Sequence, residues 1–219
     1  MCIRDRCYDS YNNVIWLTTN TNIYAYDLKD GTFIEPFKGL NLGGIEAGNA
    51  GYYIDKDNYL WLGLTMGLCR INLQTLRTSK IDYQLWDKKL DMPDSKLKEK
   101  VTFIYQSKDG TIWVGSNGYG FYKSSLDKNG KYTFQALTTK DGLINNSVRG
   151  ILEDNKGNIW ISTINGLSCY NPISNSFHNY TKKDGLLSNQ FYWNAAFCAS
   201  NGDLYLGSTL GLSLIHISE

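Results

Sequence analysis

Eight side chains outside the repeated positions of the sequence carry aromatic rings, amides or a guanidinium: Trp86, Asn117, Tyr119, Asn146, Arg149, Asn189, Tyr192 and Trp193. Aromatic rings stack on the faces of sugar rings, while amides donate to and accept from sugar hydroxyls. Arg149 could face a carboxylate of a ligand or an Asp of the protein. The set predicts a ligand-binding surface, although each residue could equally serve ordinary loop packing.

Catalytic chemistry has less support in the sequence. A general base is most often a histidine or a paired carboxylate, and His178 falls in a predicted outer strand. The sequence holds no Ser/His/Asp or Cys/His set and no acidic cluster with metal-ligand spacing. We therefore predict a non-catalytic segment with no cofactor and no metal.

The elements that position these residues come from an internal repeat. Similar segments surround four tryptophans and one tyrosine, spaced 45, 52, 47 and 45 residues apart: Trp16, Trp61, Trp113, Trp160 and Tyr205. A recurring period of this kind indicates stacked supersecondary units. We predict that these anchor residues pack between units and do not bind a ligand.

Each unit reads as a meander of four antiparallel strands. Before each anchor, a pair of residues that tolerate positive φ predicts a two-residue hairpin turn: Asn12-Asn13, Asp57-Asn58, Asp109-Gly110, Lys156-Gly157 and Asn201-Gly202. Apolar and β-branched runs flank these turns. A glycine after the anchor then leads into a third strand, and a second turn leads into a fourth.

Four short strands on a period of about 45 residues predict an all-β fold, a β-propeller with four-stranded meander blades. The first unit begins barely a strand before Trp16, and the last stops inside its third strand. We therefore expect residues 7–212 to form an incomplete arc of about five blades from a larger propeller. One segment with a helical period lies within the insert 86–100.

The predicted topology places the candidate residues at one end of the blades. In a meander blade, the fourth-to-first connectors and the second-to-third turns emerge on the same face. The variable loops 86–100, 116–120, 144–149 and 188–194 are therefore expected to converge at one rim of the propeller, where the channel opens. These loops carry the eight candidate residues.

Composition excludes some functions. The chain has 22 basic and 21 acidic residues, a net charge of +1 and no basic stripe, which argues against nucleic acid or an anionic membrane as partner. Five scattered cysteines without a C-x-x-C pair indicate neither a zinc site nor a disulfide framework. We expect buried free thiols at Cys69, Cys169 and Cys198, which fall in predicted strands.

The two ends of the chain differ from the repeats. Residues 1–6, "MCIRDR", and residues 213–219, "SLIHISE", resemble translated sequencing-adapter remnants. We predict that both are non-native termini and exclude them from functional reasoning.

Residues 141–191 closely resemble the two-component regulator propeller repeat. Its D-G-L connector, its D-x-x-G-x-I-W core and its following G-L occur here at these positions: Asp141–Leu143, Asp184–Leu186, Asp154–Thr163 and Gly166-Leu167. The resemblance extends over residues 8–212. Tyr205 replaces the tryptophan in the fifth unit.

The resemblance implies a sensor segment separated from its output domain. Such repeats form the periplasmic sensor region of membrane-anchored hybrid histidine kinases in Bacteroidota, many of which sense glycan breakdown products. It implies an oligosaccharide ligand, and a homodimeric parent protein that contributes the remaining blades and a C-terminal β-sandwich. The alternatives are a propeller enzyme similar to streptogramin lyases and a protein-interaction scaffold. The lyase alternative needs a histidine at the channel mouth, and the scaffold alternative lacks the Gly-His and Trp-Asp marks of WD repeats.

Overall fold

The computed structural model describes residues 6–18, 23–38, 51–64, 67–78, 80–87 and 101–215. The chain divides into two compact units, Met1–Val101 and Thr102–Glu219. Within the described ranges, no helix is long and apolar enough to cross a membrane.

The first unit contains two four-stranded antiparallel sheets whose strand order follows the chain. The strands of the first sheet are β1 (Arg6–Asp9), β2 (Val14–Thr18), β3 (Ile23–Asp27) and β4 (Phe33–Ile34). Those of the second are β5 (Tyr52–Ile54), β6 (Tyr59–Leu64), β7 (Gly67–Asn72) and β8 (Tyr83–Asp87). A 3-10 turn at Leu73–Thr75 precedes β8. The first repeat, expected to be partial, therefore has all four strands.

The second unit contains two further four-stranded meanders and a three-stranded sheet. The third sheet consists of β9 (Val101–Gln106), β10 (Ile112–Ser116), β11 (Phe121–Leu126) and β12 (Tyr132–Leu137). The fourth consists of β13 (Val148–Glu153), β14 (Ile159–Thr163), β15 (Gly166–Asn171) and β16 (Ser176–Tyr180), followed by a 3-10 turn at Lys182–Asp184. The last consists of β17 (Phe191–Cys198), β18 (Leu204–Ser208) and β19 (Gly211–Ile215).

The fold is an all-β β-propeller with four-stranded meander blades, as the repeat predicts. The predicted helical segment lies mostly in residues 88–100, outside the described residues. Strand β19 runs to Ile215 and crosses the boundary predicted at residue 213. The outermost residues of both termini also lie outside the described ranges.

Each of the five hairpins before an anchor contains one residue with positive φ, as predicted: Asn13 at 54°, Asn58 at 60°, Gly110 at 90°, Gly157 at 80° and Gly202 at 90°. The predicted two-residue turn is wrong, however. The Asp55 N–H donates to the Tyr59 carbonyl, and the Asn58 N–H donates to the Asp55 carbonyl. These bonds close a three-residue loop, in which a turn is followed by one left-handed residue.

The anchor tryptophans lie in the core, as predicted: Trp16, Trp61, Trp113 and Trp160. Three of them donate their indole N–H to the residue that opens their own hairpin. The Trp61 Nε1 to Asp55 Oδ2 distance is 2.8 Å and the Trp160 Nε1 to Asp154 Oδ2 distance is 2.9 Å, while Trp113 donates to the Ser107 hydroxyl. Because an unsatisfied buried N–H is costly, these bonds fix the anchor's orientation.

Neighbouring sheets pack through the anchors within each unit. In the first unit, Trp16 belongs to a core shared with the strands β6 and β7 of the second sheet. In the second unit, Trp160 packs with Phe191, Leu204 and Leu206 of the last sheet. The tryptophan-bearing face of one sheet is thus covered by apolar residues of the next.

The cysteine predictions are partly wrong. Cys69 is buried, and burial raises its thiol pKa to about 12. Cys169 is half-buried, with its pKa raised to about 11 by burial and then by the charge of Asp154. Cys198 is exposed, contrary to expectation, and it is the last residue of β17.

Candidate functional site

The second unit brings the fourth-to-first connectors and the second-to-third turns together on one face. The N–H groups of Gly118 and Gly120 both donate to the Asn146 carbonyl, at 3.1 and 2.8 Å. One repeat later, the Gly166 N–H donates to the Asn189 carbonyl at 2.6 Å. We call this surface the connector face: connectors 138–147 and 181–190 with turns 117–120 and 164–165. It holds the second-unit candidate residues or the strand ends that carry them.

The two candidate asparagines of the connectors have a structural role for their side chains. The Asn146 Oδ1 accepts the Thr139 N–H at 2.8 Å, and the Asn189 Oδ1 accepts the Lys182 N–H at 2.7 Å. In both cases the amide oxygen accepts from the N–H of the residue seven positions earlier and closes the loop between them. These oxygens stabilise the connectors. The Asn146 Nδ2 also donates to the Thr139 hydroxyl at 3.4 Å, so its second N–H and the amide N–H groups of Asn189 are left to contact a ligand.

Two β-bulges project side chains from the connector face. The pairing of β13 with β14 shifts between Val148 and Gly150, so Arg149 is an extra residue in the ladder. The pairing of β17 with β18 shifts between Phe191 and Ala196, so the segment 192–195 stands opposite Gly207 alone. Bulges bend a strand and redirect its side chains, and they occur often beside functional sites.

The two bulges meet in a cation–π contact. The Arg149 guanidinium carbon lies 3.2 Å from the centroid of the Trp193 ring. The Arg149 Nη1 donates to the Asn117 Oδ1 at 3.4 Å, which ties the bulge to the turn of the preceding sheet. A Cβ on Gly150 would approach the Ala196 Cβ to 2.7 Å, so a glycine is required for β13 and β17 to lie this close.

The electrostatics of this contact are dominated by burial. Arg149 and Trp193 are both half-buried. Loss of hydration lowers the Arg149 pKa to about 10. The group therefore stays cationic at neutral pH, and its charge faces an aromatic ring and an amide.

The two candidate tyrosines flank this cluster differently. Tyr119 is half-buried and its backbone N–H donates to the Ser116 hydroxyl. Tyr192 lies in the β17 bulge with 51% of its surface exposed. Of the two rings, Tyr192 offers the larger accessible face.

The prediction that Trp86 lies on a variable loop is wrong. Trp86 is a residue of β8, opposite Leu68 of β7, and only 6% of its surface is exposed. Its ring stacks on Trp61 with centroids 5.6 Å apart. It belongs to the core of the first unit, and the remainder of the predicted loop, residues 88–100, lies outside the described residues.

One residue of the site was missed by the sequence analysis. Asn194 has a positive φ of 51° in the β17 bulge, and its buried Oδ1 has no hydrogen-bond partner among the described residues. A signal was present in the spacing: 14 residues separate Asn146 from Trp160, but 16 separate Asn189 from Tyr205. The two extra residues lie in this bulge.

Groups for acid–base or metal chemistry are not assembled in the part of the chain that the structure describes. No cluster of three His, Cys, Asp or Glu residues there could hold a metal ion. His178 lies in the outer strand β16, as predicted, with its ring 4.7 Å from that of Tyr180.

Comparison of the sequence with known families identifies the repeat. The profile of the two component regulator propeller family matches residues 96–118 and 142–165. The sequence is also 32% identical over 163 residues to histidine kinase P4 of Formosa agariphila. That match covers 73% of this chain and 11% of the kinase, so the chain spans a small part of its relative.

Solved structures share the fold. An extracellular domain assigned to a hybrid two component system of B. thetaiotaomicron superposes with a TM-score of 0.71, at 19% identity over 94% of this chain and 26% of that domain. Virginiamycin B lyase from Staphylococcus aureus superposes with a TM-score of 0.66, at 16% identity over 99% of this chain and 70% of the lyase. At these identities the likeness is one of fold alone.

Proposed function

Because the chain belongs to the family of two-component regulator propellers, we propose that it is the ligand-sensing segment of a periplasmic two-component sensor. The segment detects an oligosaccharide and signals to a histidine kinase encoded elsewhere in the same protein. The kinase relative and the extracellular sensor domains of similar fold support this proposal. The segment itself is non-catalytic.

The observation that carries the proposal is the Arg149–Trp193 pair on the connector face. The anchor tryptophans are buried between sheets and have no free ring face for a ligand. In contrast, Trp193 and Tyr192 come from a bulge that departs from the repeat, beside the amide of Asn117. Residues outside the repeated positions are where one propeller differs from another, so they suit selective recognition.

Calorimetric titration of the full-length protein against a panel of neutral and acidic oligosaccharides tests this function. We expect at least one to bind, and Tyr192→Ala or Trp193→Ala to abolish that binding without unfolding the propeller. Lys128→Gln is the matched control, because this exposed side chain lies in the β11–β12 turn, outside the connector face. Normal binding by both bulge variants would place the site in another part of the protein.

A lyase-like activity is the alternative that the shared fold suggests. His178 is the one histidine among the described residues, and it lies on an outer strand rather than at the connector face. Metal-dependent cleavage of a streptogramin by the full-length protein would favour the enzyme over the sensor.

A further inference from the structure

Arg149 differs from the other two arginines whose side chains the structure describes. The Arg77 Nη2 lies 2.7 Å from the Asp27 Oδ2, and the Arg70 Nη2 lies 3.6 Å from the Asp55 Oδ2. Arg149 is half-buried, yet no carboxylate among the described residues forms an ion pair with it. Each of the other two has a protein carboxylate to balance its charge, whereas Arg149 has an aromatic ring and an amide.

This arrangement is energetically unusual. A guanidinium remains protonated in proteins, and burying its charge is costly unless an anion or several hydrogen bonds compensate it. Stacking on Trp193 offsets part of the cost. The lowered pKa of Arg149, caused by lost hydration, agrees with an incompletely compensated charge.

The orientation of the guanidinium leaves its edge available. Trp193 lies against one face of the planar group, and Asn117 accepts from one Nη1–H. A guanidinium has five N–H donors, and the others find no acceptor within the described part of the chain. A carboxylate in the plane of the group could accept two parallel N–H bonds while the ring remains stacked.

We propose that Arg149 binds a carboxylate of the ligand, so that the ligand is an oligosaccharide containing uronic acid. This inference rests on the proposed sensor function and specifies the class of sugar. Trp193 packs against one face of the guanidinium and holds it in position. The exposed ring of Tyr192, in the same bulge, provides a surface for the sugar ring.

Matched sugars test the proposal without altering the protein. The probes are trigalacturonate, triguluronate, trimannuronate and a glucuronate trimer, each paired with its carboxyl-reduced neutral form. Titrated into the full-length protein, at least one acid should bind, and its reduced partner should bind roughly 10- to 100-fold more weakly, because hydrogen bonds to a charged group are lost. Equal binding within every pair, or binding of no acid at all, would overturn the proposal.

Substitutions then assign the effect to Arg149. Arg149→Gln should reduce the affinity for the acid to that for its reduced partner, without changing the affinity for the reduced partner. Arg149→Lys retains the charge but not the planar fork, so we expect an intermediate loss of affinity for the acid. This variant tests the proposal if Arg149→Gln folds poorly. Lys128→Gln removes an exposed charge from the β11–β12 turn, outside the connector face, and should leave binding unchanged. A loss of the same size in Lys128→Gln would indicate a general charge effect and contradict the proposal.

The outcomes separate this inference from the proposed function. Binding of neutral oligosaccharides that is sensitive to Trp193→Ala, with no preference for the acid, would retain the sensor and reject the carboxylate site. Failure of every sugar in both panels would reject both. Preference for a sulfated neutral trisaccharide over all the uronates would also reject the carboxylate assignment.

Discussion

The Arg149 guanidinium carbon lies 3.2 Å from the centroid of the Trp193 ring, and the two residues come from bulges in the first strands of neighbouring sheets. Neither bulge alone would form the contact, because β13 and β17 must also approach closely at Gly150 and Ala196. The contact therefore depends on both bulges, which depart from the repeat, and on the close packing of β13 against β17.

Aromatic residues of the bulge and of the core should respond differently to truncation. Trp113→Ala should reduce the free energy of unfolding by about 3–5 kcal/mol, because it empties a buried position. Trp193→Ala should cost about 1 kcal/mol, the size of a partly exposed cation–π contact. The free energy of unfolding of Tyr192→Ala should stay within about 0.5 kcal/mol of that of the unchanged protein, because about half of the ring is exposed to solvent. Chemical denaturation of each variant measures all three, and a loss at Trp193 as large as at Trp113 would show that its main role is packing.

The connector asparagines should be needed for local stability even without a ligand. Asn189→Ala removes the acceptor of the Lys182 N–H, and we expect a loss of about 1 kcal/mol together with faster hydrogen exchange in connector 181–190. Asn146→Ala should have the same effect on connector 138–147, because the hydrogen bond to Thr139 is equivalent.

Asn129→Ala is the control for these two variants, since Asn129 is an exposed residue of the β11–β12 turn. Hydrogen exchange that stays slow in both connectors after Asn146 and Asn189 are truncated would contradict the structural role of their amide oxygens.

The Asp27–Arg77 ion pair of the first unit predicts a pH dependence of stability. Hydrogen bonding from Arg77, then from the Lys29 N–H, holds the Asp27 pKa below its ordinary value of 3.8. The folded state thus binds this proton more weakly than the unfolded state, so the stabilisation is complete above the unfolded pKa and is lost as the pH falls through the folded pKa. Arg77→Gln should lower the melting temperature at pH 7, and the difference should shrink below about pH 4.

Lys29→Gln is the control for the ion pair, because Lys29 is exposed and contributes only its backbone N–H to Asp27. A difference between Arg77→Gln and the unchanged protein that is as large at pH 2.5 as at pH 7 would mean that Arg77 stabilises by packing.

The sequence predicted what depends on the repeat and missed what depends on contacts across it. The positive φ at Asn58 and the burial of Trp61 follow from local turn chemistry and from the period of the anchors. Trp86 was misplaced because its position at the start of an insert indicated a loop, while its strand partner, Leu68, lies 18 residues earlier. A cross-strand partner of this kind leaves no local pattern.

Prediction of the candidate site from the sequence was limited in the same way. That Arg149 and Trp193 would both be functional candidates could be predicted from residue type and from their departure from the repeat. Their stacking could not, because it depends on how far each bulge displaces its strand. The extra spacing before Tyr205 signalled the larger bulge, but it did not indicate the left-handed conformation of Asn194.

The last sheet exposes the face that, in the preceding sheet, is covered by the next sheet. We therefore expect Phe197→Thr to have opposite effects in the isolated chain and in the full-length protein. Phe197 pairs with Tyr205, which pairs with Leu214. The equivalent row of the preceding sheet contains Trp160, and there the last sheet covers it. Phe197 is 64% exposed here. An apolar sheet face of this kind promotes association. In the isolated 219-residue chain, Phe197→Thr should therefore increase the monomeric fraction measured by light scattering.

In the full-length protein, we expect a further blade to cover the same face. Phe197→Thr should there lower the melting temperature of the propeller, because the ring would lose its packing partners. Ile173→Thr is the control, since Ile173 is 94% exposed in a hairpin turn and should be neutral in both contexts. A gain in monomer with no loss of stability in the full-length protein would mean that no blade packs on this face. A loss of stability in the isolated chain would mean that Phe197 already contributes to a folded core there.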